Sequence, residues 1–111
     1  MDGVIKVKDG MLKINLKGEI DHHKSLIIKE EVDHHIEKHK IKKVLFNFKD
    51  VSFMDSSGVG MIIGRYKILQ KLGGKVGVVH LTPRVNKIFE MSGLYNIVNF
   101  FGNEREAIEK L

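Results

Sequence analysis

The strongest constraint on the fold is an alternation: after two strand-like runs at the start, short apolar runs and helix-periodic stretches take turns to the end. Val4-Ile5-Lys6-Val7-Lys8 and Met11-Leu12-Lys13-Ile14-Asn15-Leu16-Lys17 flank Asp9-Gly10, a hairpin-turn dipeptide, and the second run stops at Gly18. Asp21 is placed to cap a helix in which Ile28, Val32 and Ile36 recur at helical spacing, with Leu26 nearby. Val44-Leu45-Phe46-Asn47-Phe48 reads as a largely buried strand ending near Asp50. Ser56 and Ser57 precede a helical stretch from Gly58 to Leu72, which Gly73-Gly74 stops. Val76-Gly77-Val78-Val79 is the next strand. Thr82-Pro83 opens a helix carrying Val85, Ile88, Phe89 and Met91, closed by Ser92-Gly93. Ile97-Val98-Asn99-Phe100-Phe101 reads as a last strand. Asn103 caps a short terminal helix whose Glu104 and Glu106 suit its dipole.

The expected order is β-β-α-β-α-β-α-β-α, and right-handed crossovers make the strands after the hairpin parallel. The expectation is one α/β domain over residues 1–111, a small mixed sheet flanked by about four helices. A chain of 111 residues suits one domain, and 42% hydrophobic with 30% charged residues supports a core without staples. With no cysteine, disulfides, thiolate metal sites and cysteine nucleophiles are excluded. No apolar run approaches the roughly 18 residues of a membrane span. The start, Met1-Asp2-Gly3-Val4, lacks the plan of a secretory signal, so a cytoplasmic location is expected.

The net charge of +5 and a pI near 9.5 invite a nucleic-acid reading, but the distribution opposes it. Residues 1–49 carry eleven basic and eight acidic side chains, residues 50–111 eight and six, and no block of like charge occurs. Sixteen of the nineteen basic residues are Lys, which lacks the forked donors that read base edges. Diffuse lysine excess is the signature of solubility.

The chemistry-bearing stretch is Asp50-Val51-Ser52-Phe53-Met54-Asp55-Ser56-Ser57-Gly58-Val59-Gly60, which joins a buried strand to a helix. Open α/β sheets place their sites at such strand C-termini. Unpaired amides and the helix dipole favour an anion there, and Asp55 stands beside two hydroxyls. Several readings compete. Ser56 or Ser57 is an ordinary helix cap, with Gly58 and Gly60 easing packing. As a hydrolase nucleophile, Ser56 would lack the elbow glycine, since position 54 is Met, and no second acid is placed. Dinucleotide binding through Gly58-Val59-Gly60 fails, because position 63 is Ile and the downstream acidic residue is missing. A further reading is a serine phosphorylated by a partner kinase, since a phosphoryl group at an anion-tolerant helix start would change the sign of a docking surface. His35 and His39 share a helical face without a third ligand, His22 and His23 precede the first helix, and no metal or cofactor is expected. Met54, Met61, Met91 and the phenylalanines are expected in the core.

The segment Phe53-Met54-Asp55-Ser56-Ser57-Gly58-Val59-Gly60-Met61-Ile62-Ile63-Gly64-Arg65-Tyr66-Lys67 resembles the signature of the anti-sigma factor antagonists, bacterial members of the STAS domain family. Gly18-Glu19-Ile20-Asp21-His22-His23, Gly73-Gly74 and Phe89-Glu90-Met91-Ser92-Gly93-Leu94 agree with it in order and spacing. The resemblance implies a regulatory protein and not an enzyme. Its unphosphorylated form would bind an anti-sigma factor that is also a serine kinase, holding Mg-ATP or Mg-ADP, and so release a sporulation sigma factor. Phosphorylation would fall on Ser56, with Ser57 open as a minor acceptor, and a PP2C-type phosphatase would reverse it. The same resemblance assigns Gly18, Glu19, Asp21, Asp55, Ser57, Gly58, Val59 and Gly60 to the partner-binding surface. It implies no direct contact with nucleic acid or membrane. A general-stress pathway is the alternative within the family, and a small serine hydrolase using Ser56 the alternative outside it. The basic pI departs from several more acidic relatives.

Overall fold

The computed structural model describes residues 3–111, so Met1 and Asp2, part of the stretch read for a secretory signal, lie outside the described residues. The strands are β1 (Gly3–Lys8), β2 (Met11–Ile20), β3 (Lys43–Met54), β4 (Lys75–Val79) and β5 (Asn99–Phe101). The helices are α1 (His22–His39), α2 (Ser56–Lys71), α3 (Pro83–Ser92) and α4 (Glu104–Lys110), with a single 3-10 turn at Leu94–Asn96. The order is the one the sequence predicts. One five-stranded sheet runs β1-β2-β3-β4-β5, antiparallel only between β1 and β2.

Because the strands lie side by side in chain order, successive right-handed crossovers all fall on the same face of the sheet. Leu12, Ile14 and Leu16 of β2, Val44, Phe46 and Phe48 of β3, and Val76 and Val78 of β4 point to that face. There they meet Ile28, Val32 and Ile36 of α1, Met61, Ile62 and Leu69 of α2, and Val85 and Phe89 of α3. The other face carries a smaller cluster of Met11, Leu45, Val79 and Phe101 under Ala107 of α4 and Leu111. Only part of that face is covered. This one-sidedness explains why β2 alternates cleanly although its pairing with β3 is parallel, an arrangement that otherwise gives continuous apolar runs.

The strand ends differ from expectation in ways that matter for the site. β2 continues past Gly18 to Ile20, and β3 continues past Asp50 to Met54. Pairing runs from Asn15 opposite Asn47 to Ile20 opposite Met54, with register shifts between Asn15 and Lys17 and between Gly18 and Glu19. β3 therefore takes seven steps where β2 takes five. Bulges absorb the extra residues and carry pairing beyond the polar stretch that reads as a strand end. β5 is shorter than expected, because Ile97 closes the preceding 3-10 turn and pairing with β4 begins only at Asn99. Three residues expected in the core are exposed: Met91 is 88% accessible, and Phe53 and Phe100 are also at the surface. Met91 falls on the outer side of α3. Phe53 sits between the inward-facing Val51 and Met54, where bulging upsets simple alternation. Among the described residues no helix is long and apolar enough to cross a membrane.

Candidate functional site at the strand ends

Extension of β2 and β3 brings two helix starts together at one end of the sheet. The Asp55 N–H donates to the Ile20 carbonyl at 3.2 Å, so the β2–α1 and β3–α2 junctions are tied to each other. Asp21 caps α1, its carboxylate accepting from the Lys24 N–H at 2.9 Å. One strand over, Asp55 caps α2, accepting from the amides of Ser57 at 2.8 Å and Gly58 at 3.3 Å. The cap is thus Asp55 and not Ser56 or Ser57, and α2 begins at Ser56 instead of Gly58. An aspartate two residues ahead of its amide closes a tight Asx turn, which leaves the following hydroxyls without a capping task.

That geometry also corrects the expected anion cradle. Amides of the first turn already point at the Asp55 carboxylate, so a free anion meets an occupied slot and a like charge. Ser56 is exposed at the first helical position and faces away from the core. Ser57 is half-buried, its hydroxyl 3.5 Å from Nδ1 of His22, at the outer limit of a hydrogen bond. Neither hydroxyl has the base-and-acid arrangement of a hydrolase among the contacts observed.

Gly58 is buried because the start of α2 lies directly on Met54 and Ile20, and a methyl group there would press into the Met54 side chain. Gly18 has φ +77°, a conformation side chains resist, and it leaves room for Lys24, whose Nζ donates to the Lys17 carbonyl at 2.8 Å. Glu19 is exposed opposite Phe53, Val59 is half-buried against the core, and Gly60 is exposed with open space beside it. All eight residues assigned to partner binding, and Ser56 with them, therefore lie on the β2–α1 junction, the β3–α2 junction or the first turns of α2. Sequence reasoning did not single out Thr82, whose hydroxyl donates to the Val51 carbonyl at 3.4 Å and fastens the β4–α3 junction to the same end. Its cap-and-proline signature spoke only of a helix start. His35 and His39 stack on each other with ring centroids 5.5 Å apart, and no cluster able to hold a metal occurs among the described residues.

The STAS domain family model matches residues 4–107. The chain is a STAS domain, of the anti-sigma factor antagonist type. An anti-sigma F factor antagonist of Paenibacillus polymyxa is 37% identical over 102 residues, covering 92% of this chain and 87% of the relative. The solved structure of the anti-sigma factor antagonist SpoIIAA in its unphosphorylated form superposes on this STAS domain with TM-score 0.79 at 29% identity, covering 97% and 96% of the two chains. The structure of the Bacillus cell fate determinant SpoIIAA in the phosphorylated form gives TM-score 0.78 at 32% identity, covering 97% of each.

Proposed function

We propose that this STAS domain is a phosphorylation-controlled antagonist of a sporulation anti-sigma factor, cytoplasmic, with no catalysis of its own. The observation that carries the reading is the placement of Ser56: exposed, first in α2, and flanked by a carboxylate that already occupies the helix start. A phosphoryl group on Ser56 would add nearly two negative charges beside Asp55 and could not fold back onto the first-turn amides. It would stand outward at the docking surface. The free form binds the anti-sigma factor serine kinase, with Mg-ATP or Mg-ADP on the kinase, through the two junctions and the first turns of α2. The phosphorylated form is repelled, and a PP2C-type phosphatase restores binding. A difference of about 3 kcal/mol shifts affinity more than a hundredfold, enough for a switch without refolding. The relationship to an anti-sigma F factor antagonist supports the sporulation pathway over the general-stress one.

The test is intact-mass and peptide mapping after incubation with the host's anti-sigma kinase and Mg-ATP, on wild type, Ser56→Ala and Ser57→Ala. One phosphoryl group, lost only in Ser56→Ala, is the expected result. Modification of Ser57 instead would overturn the site, and no modification by a kinase active on another substrate would overturn the function.

A further inference from the structure

Beside the strand-end surface, a groove of about 300 Å³ runs between α1 and α2, lined by His22, Ser25, Leu26 and Lys29 on one side and by Ser57, Gly60, Met61, Gly64 and Arg65 on the other. We propose that this groove receives a carboxylate side chain carried on a helix of the anti-sigma partner, extending the docking surface from the phosphorylation site onto α1. The inference rests on the proposed function and adds to it a location and a chemistry.

Four observations converge. The α2 wall is a stripe of small residues, Ser57, Gly60 and Gly64, spaced to share one helix face over roughly 10 Å. Nothing lies within 4 Å of where a side chain at Gly60 or Gly64 would begin, so internal packing does not demand either glycine, and both leave room for a foreign backbone. The groove contains no carboxylate of its own. Its charged members are Lys29, exposed at the rim, and Arg65, already matched by Asp33 at 2.8 Å, with His22 at the upper end. Finally, Ser25 lines the groove at 5% exposure, and its hydroxyl has no hydrogen-bond partner. A buried hydroxyl without a partner is costly; rotation of the Ser25 side chain about χ1 would present it to an arriving carboxylate oxygen, which would accept from it while Lys29 supplies the charge. Leu26, 45% exposed, would cover the aliphatic stem of the incoming residue. The groove is continuous with the proposed interface through Ser57, which belongs to both.

The measurement is calorimetric affinity for the host's full-length anti-sigma factor across a salt series, using wild type, Gly64→Leu, Lys29→Glu and Lys110→Glu. Gly64→Leu fills the groove with a better helix former, so the fold is retained, as an unchanged or raised melting temperature will confirm. Lys110→Glu makes the same charge change on α4, away from the groove. The expected result is a loss of about tenfold or more for Gly64→Leu and Lys29→Glu, a flattened salt dependence for Lys29→Glu alone, and less than about twofold for Lys110→Glu. Wild-type affinity in Gly64→Leu and Lys29→Glu overturns the groove and leaves the proposed function standing. Equal losses in Lys29→Glu and Lys110→Glu reduce the effect to net charge and also overturn it. No binding by wild type overturns the proposed function itself.

Discussion

Gly58 and Met54 are packed so closely that the one exists for the other: a methyl group on Gly58 would reach within 2.7 Å of the Met54 sulfur, and Met54 is fully buried. Gly58→Ala should therefore destabilise the fold by about 1–3 kcal/mol, despite alanine's higher helix propensity. Urea unfolding will measure it. Met54→Ala costs stability alone, but in the double variant the two losses should not add, since the smaller residue vacates the space the new methyl needs. Additive losses would show that Gly58 is set by something other than Met54.

The Asp55 cap separates stability from charge. Asp55→Ala removes the acceptor for two amides and should cost about 1 kcal/mol. Asp55→Asn keeps an acceptor at the same place and should lose much less. If both variants are phosphorylated at the wild-type rate, Asp55 serves the helix alone. Loss of phosphorylation in the Asn variant, with stability retained, would assign the carboxylate a part in recognition by the kinase.

Arg65 and Asp33 join α2 to α1 unequally: the arginine is 4% exposed, the aspartate 33%. Their charged atoms are 2.8 Å apart, and Nη1 of Arg65 donates to the Met61 carbonyl at 3.2 Å. Burial lowers the Arg65 pKa, and Asp33 opposes that shift. Removing Asp33 strands a buried guanidinium, whereas removing Arg65 leaves a carboxylate that water can reach. Asp33→Ala should thus cost up to about 3 kcal/mol and Arg65→Met clearly less. Chemical denaturation of both variants decides this, and the reverse order would show that the aliphatic stem of Arg65 matters more than its charge.

Glu104 gives the acid response of the α4 face a direction. Burial works to raise its pKa, but hydrogen bonds from Lys13 and Asn47 and the charges of Lys13 and His80 outweigh it and hold the carboxyl below its usual range. The ion pair with Lys13 spans 3.2 Å. A carboxyl depressed in the folded state contributes stability fully above its unfolded pKa of about 4.3, and that contribution is lost as pH falls through the folded value. Urea midpoints of wild type and Glu104→Gln should accordingly converge as pH drops from 6 toward about 3. A gap between them that does not change with pH would exclude the ion pair as the cause.

The sequence disclosed what depends on local pattern. Helix caps at Asp21, Thr82 and Asn103, the Asp9-Gly10 turn and the alternation of β2 each announce themselves within a few residues, and the order of elements followed from them. Bulges in β3 did not, because they arise from pairing with β2 and leave no mark on the composition of Asp50-Val51-Ser52-Phe53. From that miss came two others, the exposure of Phe53 and the cap at Asp55. The site was legible as a place, since Asp55-Ser56-Ser57-Gly58 stands at a strand-to-helix junction. Its internal logic was not: whether a carboxylate or a hydroxyl takes the first amides depends on a backbone turn, and the demand for glycine at position 58 depends on a methionine pressed against it by the same bulged strand. Ser25 and Lys29 gave no signal at all, being unremarkable residues on a polar helix until α2 is laid beside them.

That the strands lie across the sheet in the order they occur along the chain has a consequence for how the molecule is made. No strand must be inserted between two already paired, so the sheet can be laid down from one side as the polypeptide leaves the ribosome, each crossover helix closing over the strand before it. Both helix starts at the strand ends, Asp21 before α1 and Asp55 before α2, are translated ahead of β4, α3 and β5, so the elements that build that end of the molecule precede in synthesis those that complete the sheet beside them.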